Sequence, residues 1–339
     1  MGKRARVIAT LFVIRILFIS YGYNKEYLPA GGSTAMMPVM SYRTSNFSYH
    51  GYRLTYEGVG SGTGISRLID GVYALAASDE YVPYDVAREY GLINLPILVQ
   101  AFVFVANVPF DIRLNATVIA DIYLGKITYR DDPSIKALNP NVNLPHEPIY
   151  AVHRKDSSGT TAVITTRLSK NSEERREKVG ASDTVHRPVD DIGHGIPAIG
   201  NSGVAETVKK TPYSIGYVGY ARAVELKLRV VSLPNGSGEF VRPSIDAFSR
   251  AVESYDKTYG IPGNFSVYIL DAPSGRPIVS FGYVVIYRGL SNLSGEAKEA
   301  VKEFLRYALT MGQGILKSAH FAPLPEDIVE RVLDILNSF

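Results

Sequence analysis

A short strand, a turn rich in glycine and hydroxyl side chains, and then a helical period recur along this chain, which restricts it to α/β architectures. The clearest instance joins Arg53–Glu57, which alternates like a strand, to the turn Gly58–Gly64 and then to Ile65, Leu68, Ile69, Val72 and Tyr73 at helical spacing. A second joins Ile149–Arg154 to Asp156-Ser157-Ser158-Gly159-Thr160 and a helical run to Leu168. A third turn lies at Ser33-Thr34, with no evident strand before it. Each such turn presents unpaired backbone N–H groups, hydroxyl donors and the positive end of a helix dipole. That chemistry binds anions without a metal.

Leu95–Asn107 is apolar on both faces, as expected of a strand covered on both sides. Ser214–Tyr220 and Gly282–Tyr287 read as further strands, and Glu296–Thr310 and Pro325–Leu336 as helices. At 339 residues the chain fits two α/β lobes better than one small domain.

Lys3, Arg4 and Arg6 precede an apolar run from Val7 to Ser20, interrupted only by Arg15. This reads as an export signal or, alternatively, an N-terminal anchor. Residues 1–29 hold five basic groups and one acid, a net of +4; the whole chain is +3, so the remainder carries −1. No basic footprint for nucleic acid is left once the leader is set aside. The absence of cysteine excludes a lipid-modified Cys, a disulfide framework and a thiolate metal site. Sequons at Asn46, Asn115, Asn235, Asn264 and Asn292 favour an exported surface protein.

Several residues carry candidate chemistry. Thr34 follows two glycines and can offer both N–H and O–H, or it can simply cap a helix. Ser61 lies in a glycine-rich turn that departs from the dinucleotide and Walker patterns, leaving an anion cradle or a plain tight turn. Asp79 is either a helix cap or an acceptor for a ligand proton. Monohydrogen and dihydrogen phosphate carry that proton, whereas sulfate and molybdate do not, so a fixed carboxylate would reject them. Arg154 offers a planar fork for two oxygens, Asp156 can orient it, and Ser158, Gly159 and Thr160 complete a helix-terminus cradle. The histidines lack ligand spacing, and no nucleophile elbow surrounds Ser158. No metal or cofactor is expected.

At these residues the chain resembles the phosphate-binding proteins of high-affinity phosphate ABC transporters. The matching stretches are AGGSTAMMPVM (30–40), YEGVGSGTG (56–64), AASD (76–79), DIYLGKI (121–127) and HRKDSSGTT (153–161), followed by IGNSGVAETVKKTPYSIGYVGYARA (199–223) and FAPLPEDIVERV (321–332). The resemblance implies a periplasmic-binding-protein type II fold: two α/β lobes joined by two crossover strands. By that likeness residues 1–26 are the leader, 27–103 and 277–339 form lobe I, and 104–276 form lobe II. Phosphate contacts fall on Thr34, the backbone of Ala35, Ser61, Asp79, Arg154, Ser158, Gly159 and Thr160, with Asp156 orienting the arginine. The implied protein is a monomeric, non-enzymatic receptor, outside the cytoplasm, that delivers inorganic phosphate to a membrane permease. The same fold with another oxyanion (arsenate, sulfate or molybdate) and a phosphate-ester hydrolase are the alternatives. Three departures stand out: Ala35 replaces a bulky aromatic, Gly62 replaces a second serine, and Lys155 adds a cation beside the arginine.

Overall fold

A computed structural model describes residues 26–339, so the leader lies outside the described residues. In the first lobe, β1 (Glu26–Gly32), α1 (Met37–Ser45), β2 (Tyr52–Gly58), α2 (Ser61–Ile69), β3 (Leu75–Ser78) and α3 (Tyr84–Tyr90) follow one another. The long β4 (Leu92–Ala106) then enters the second lobe. There the chain adds α4 (Ala116–Tyr123), α5 (Pro133–Leu138), β5 (Tyr150–Arg154), α6 (Gly159–Asn171), α7 (Glu173–Lys178) and α8 (Pro188–Asp191). It continues with β6 (Gly195–Ala198), α9 (Gly200–Lys210), β7 (Ser214–Gly219) and α10 (Tyr220–Glu225). A small hairpin, β8 (Leu233–Pro234) and β9 (Phe240–Val241), precedes α11 (Ile245–Tyr259), β10 (Tyr268–Leu270) and β11 (Ile278–Tyr287). Helices α12 (Gly295–Leu309) and α13 (Glu326–Asn337) close the chain.

The main sheet runs β2-β1-β3-β11-β4-β7-β5-β6, with β10 on β11. Strand β4 belongs to both lobes. Its residues Leu92–Ala101 pair antiparallel with β11, and Phe102–Ala106 pair antiparallel with β7. Its near-continuous apolar sequence is explained by burial on both faces along almost its whole length. In the first lobe α1, α11, α12 and α13 cover one face around Met40, Phe248, Phe304 and Ile328, while Leu68 and Val82 pack on the other. In the second, Ile119, Ile135 and Ile164 cover one face, and Val204 and Val208 of α9 cover the other.

The strands expected at 53–57, 95–107, 149–154, 214–220 and 282–287 are all present, as are both C-terminal helices. The strand that the sequence did not reveal before Ser33 is β1, which pairs parallel with β2 and β3. Residues 245–269 pack differently from the expectation that lobe II runs to 276. The apolar stripe of α11 (Phe248, Ala251, Val252) and then Ile261, Phe265 and Ile269 bury in the first lobe's core. Asn235, one of the five sequon asparagines, is only 6% exposed, which closes it to a glycan in the folded chain. Among the described residues no helix is long and apolar enough to cross a membrane.

The carboxyl ends of the parallel strands of both lobes meet alongside the middle of β4. Ser78, the last residue of β3, pairs with Tyr283, which faces Pro96; Gly219, the last of β7, faces Phe102. In α/β sheets this is where ligands bind. Here Gln100 stands between them.

Candidate functional site

Asp79 sits at the centre, one residue beyond β3 and 1% exposed. Its Oδ1 accepts from Ser33 Oγ and, at 3.1 Å, from Gln100 Nε2. Its Oδ2 accepts from Thr160 Oγ1 at 2.6 Å, a bond between the lobes. Its backbone N–H donates to Ser61 Oγ at 3.2 Å, which leaves the Ser61 hydroxyl proton to be given elsewhere. Burial raises the Asp79 carboxyl above the ordinary carboxylate range, against the opposing hydrogen bonds from Ser33, Thr160 and Gln100. Asp79 caps no helix; three donors from three elements converge on it.

Arg154 ends β5 with its side chain 2% exposed. Its Nε donates to Asp156 Oδ1 at 2.7 Å and its Nη2 to Asp156 Oδ2, a bidentate pair. The Gly200 N–H adds a third donor to Asp156 at 3.2 Å. Burial pushes the Asp156 carboxyl up, but its bonds to Arg154 outweigh that and hold it below the ordinary range. The pair is thus closed around a buried Arg154, with Asp156 still partly exposed. It fixes one edge of the guanidinium and leaves Nη1 for other partners.

Ser158 caps α6, its Oγ accepting from Thr161 N–H at 3.2 Å. The N–H groups of Gly159 and Thr160 open that helix, as those of Ser61 and Gly62 open α2, and a helix's first amides have no intrahelical acceptor. Gly159 is required by the close approach of the lobes. A Cβ there would stand 2.6 Å from Ser61 Oγ and 3.0 Å from the Asp79 Cβ.

A family model described as a PBP superfamily domain matches residues 21–310. The phosphate-binding protein PstS of Methanocaldococcus jannaschii is 38% identical over 310 residues, covering 84% of this chain and 78% of that protein. PstS of Pasteurella multocida is 31% identical over 339 residues, covering 98% and 95%. The chain belongs to the PstS family within the PBP superfamily. Its fold agrees: a phosphate-binding protein from Stenotrophomonas maltophilia superposes with a TM-score of 0.68 at 16% identity, covering 90% of this chain and 92% of that one.

The structure adds three residues to this candidate site that sequence reasoning missed. Ser33 and Gln100 hold Asp79, and Asn201 ties the lobes together. The Asn201 backbone N–H and Nδ2 both donate to Thr34 Oγ1 at 3.0 Å, and Nδ2 lies 3.3 Å from Thr160 Oγ1. Its Oδ1 accepts from Gly219 N–H at 2.7 Å. Thr34 is therefore no helix cap; its hydroxyl is gripped from the opposite lobe and keeps its proton to donate. The signals were present but faint. Gln100 is the lone amide between Leu95 and Ala106, and Asn201 follows Gly200 in one more strand–turn–helix unit.

The family departures also find their places. The N–H of Ala35 donates to Ser33 Oγ at 3.0 Å in this arrangement. Its Cβ packs under Gly219, where an added Cβ would meet it at 3.0 Å, so the second lobe closes over the small side chain. At Gly62 a Cβ would collide with Ser157 Oγ and come within 2.7 Å of Asp183 Oδ2. Lys155 is exposed. Glu80, next to Asp79, is pushed up to about 8 by burial and then by Asp183 and Asp79.

Proposed function

We propose that this chain captures one inorganic phosphate between its lobes and delivers it to an ABC-type phosphate importer outside the cytoplasm. A carboxylate has about four acceptor sites on its two oxygens. Three on Asp79 are filled by Ser33, Gln100 and Thr160. That is the observation that carries the reading: one acceptor remains on Oδ2, and it suits an anion that still carries a proton. Monohydrogen phosphate satisfies it, while sulfate would bring a bare oxygen against a buried carboxylate.

The remaining groups supply what the anion's other oxygens need. Thr34, Ser61 and Ser158 offer hydroxyls, the first amides of α2 and α6 offer N–H donors, and the free edge of Arg154 offers charge. Because Asp156 already neutralises Arg154, the anion is held mainly by hydrogen bonds, which are strong once water is shut out. Hinge closure of this kind supports a Kd of about 1 μM or tighter. The reading is of a receptor, and it is supported by relatives named as phosphate-binding proteins. Handover to a permease is supported by membership of the PstS family.

Calorimetric titration of the chain from residue 26 onward with phosphate, arsenate and sulfate tests the reading. Heat with phosphate and none with sulfate is the expected result, and arsenate reports how far the proton-bearing oxyanions are told apart. No heat and no thermal shift with phosphate would overturn it.

A further inference from the structure

Away from the cleft, two buried arginines face each other across a shortage of negative charge. Arg276, 0% exposed, stands two residues before β11; its Nη1 donates to Val241 O at 2.7 Å and its Nη2 to Val231 O at 3.4 Å. Its Nε has no acceptor among the described residues. Arg167, 2% exposed on α6, donates from Nε to Asp271 Oδ1 at 2.9 Å and from Nη2 to Pro234 O at 3.5 Å, and its Nη1 has no acceptor. Asn235 accepts through Oδ1 from Ser237 and Glu239 N–H groups, both at 3.0 Å, while its buried Nδ2 has none.

All three meet at one loop. The loop Val231–Val241 supplies Asn235 and the carbonyls that both arginines reach, and Asp271 anchors Arg167 from the segment that leads to Arg276. Asp271 is already used on both oxygens, by Arg167 and by Asn171 Nδ2 at 3.2 Å. One carboxylate thus faces two guanidinium groups, a local charge of +1 away from water. Burying an uncompensated charge is costly, and removing one partner of a buried pair is strongly destabilising. Every unmet group here is a donor. A water molecule would meet some of them but would bring two protons of its own and no charge; an anion meets all three and neutralises the excess. Burial, and then Arg167, lowers Arg276 to about 9, the response of a cation short of a counter-ion.

We propose that Arg167, Asn235 and Arg276 form a structural site for a small monovalent anion of the chloride class, independent of the phosphate cleft. With its three residues no more than 6% exposed, the site has no room at the surface for a larger oxyanion or a polymer. The anion ties α6, whose first turn builds the phosphate cradle, to the segment through which the chain enters β11.

The test is thermal unfolding of the phosphate-saturated protein at constant ionic strength, with gluconate exchanged for chloride or bromide. Saturating phosphate keeps halide effects out of the cleft. A saturable rise of roughly 2–4 °C is expected, together with an anomalous bromide peak among the three side chains in halide-grown crystals. Asn235→Asp supplies the negative charge from the chain itself and should fold without halide dependence. Arg276→Met should also lose the dependence; if it does not fold, the wild-type titration and Asn235→Asp still decide. Equal midpoints in gluconate and chloride, or an ordered water in place of the bromide peak, would overturn the proposal.

Discussion

Thr160, at the start of a second-lobe helix, donates a 2.6 Å hydrogen bond to Asp79 of the first lobe. Neither residue is complete alone. Asp79 needs Thr160 to fill its third acceptor site, and Thr160 would otherwise bring an unmatched hydroxyl into a buried seam. On the proposed reading, recognition of a proton-bearing anion is assembled where the lobes meet and is absent from either lobe by itself.

Asp79→Asn should weaken phosphate about 10- to 100-fold, or about 1.4–2.8 kcal/mol. Its amide would face the donors of Ser33, Gln100 and Thr160, and it would no longer repel an unprotonated oxyanion. Calorimetry with phosphate and sulfate checks this, and the ratio of the two affinities should narrow. Unchanged selectivity would show that Asp79 does not read the proton.

Asn201→Ala keeps the backbone bond to Thr34 but removes the Nδ2 bonds to Thr34 and Thr160 and leaves Gly219 N–H unmatched. A buried hydrogen-bonded group of this kind is worth about 1–3 kcal/mol. Because the bond to Thr34 spans the lobes, the loss should appear as faster phosphate release in stopped-flow experiments, with little change in the association rate.

Gly62→Ser places a Cβ that collides with Ser157 Oγ. Phosphate affinity should fall while the melting temperature of the unliganded protein holds, because the clash exists only when the lobes meet. Adding Ser157→Gly should restore binding in the same titration; failure of that rescue would place the fault elsewhere.

Glu80 predicts a pH effect. Its carboxyl is raised from 4.5 to about 8 in the folded chain, so the native state holds its proton more tightly than the unfolded state does. Stability from this source is fully present below pH 4.5 and is lost as pH rises towards 8. Between those limits the melting temperature of the unliganded wild type should fall more than that of Glu80→Gln, by roughly 2–4 °C. Parallel curves would mean that Glu80 ionises freely.

Much of this was readable from the residues. Strand-to-helix turns announce themselves through glycine and hydroxyl residues because their amides need acceptors, and Thr34, Ser61, Ser158 and Thr160 are found that way. Pairing between lobes was not readable. Gln100 is one polar residue in a buried strand, and nothing local tells that it faces Asp79 and not a neighbouring backbone group. The placement of α11 was hidden for a related reason: an apolar stripe such as Ala247, Phe248, Ala251 and Val252 announces that a helix is buried but not which sheet it covers. Strand β1 was masked by Pro29 and by its position against the leader.

The division of β4 between two partners also sets an order of assembly. As the chain is synthesised, Phe102–Ala106 meets its partner at Ser214–Gly219, well before Leu92–Ala101 can meet Ile278–Tyr287. In the interval the first half of β4 is an apolar strand with a bare edge, the kind of surface that pairs with a neighbouring chain. Newly made protein is therefore most vulnerable to aggregation until its last quarter has been added.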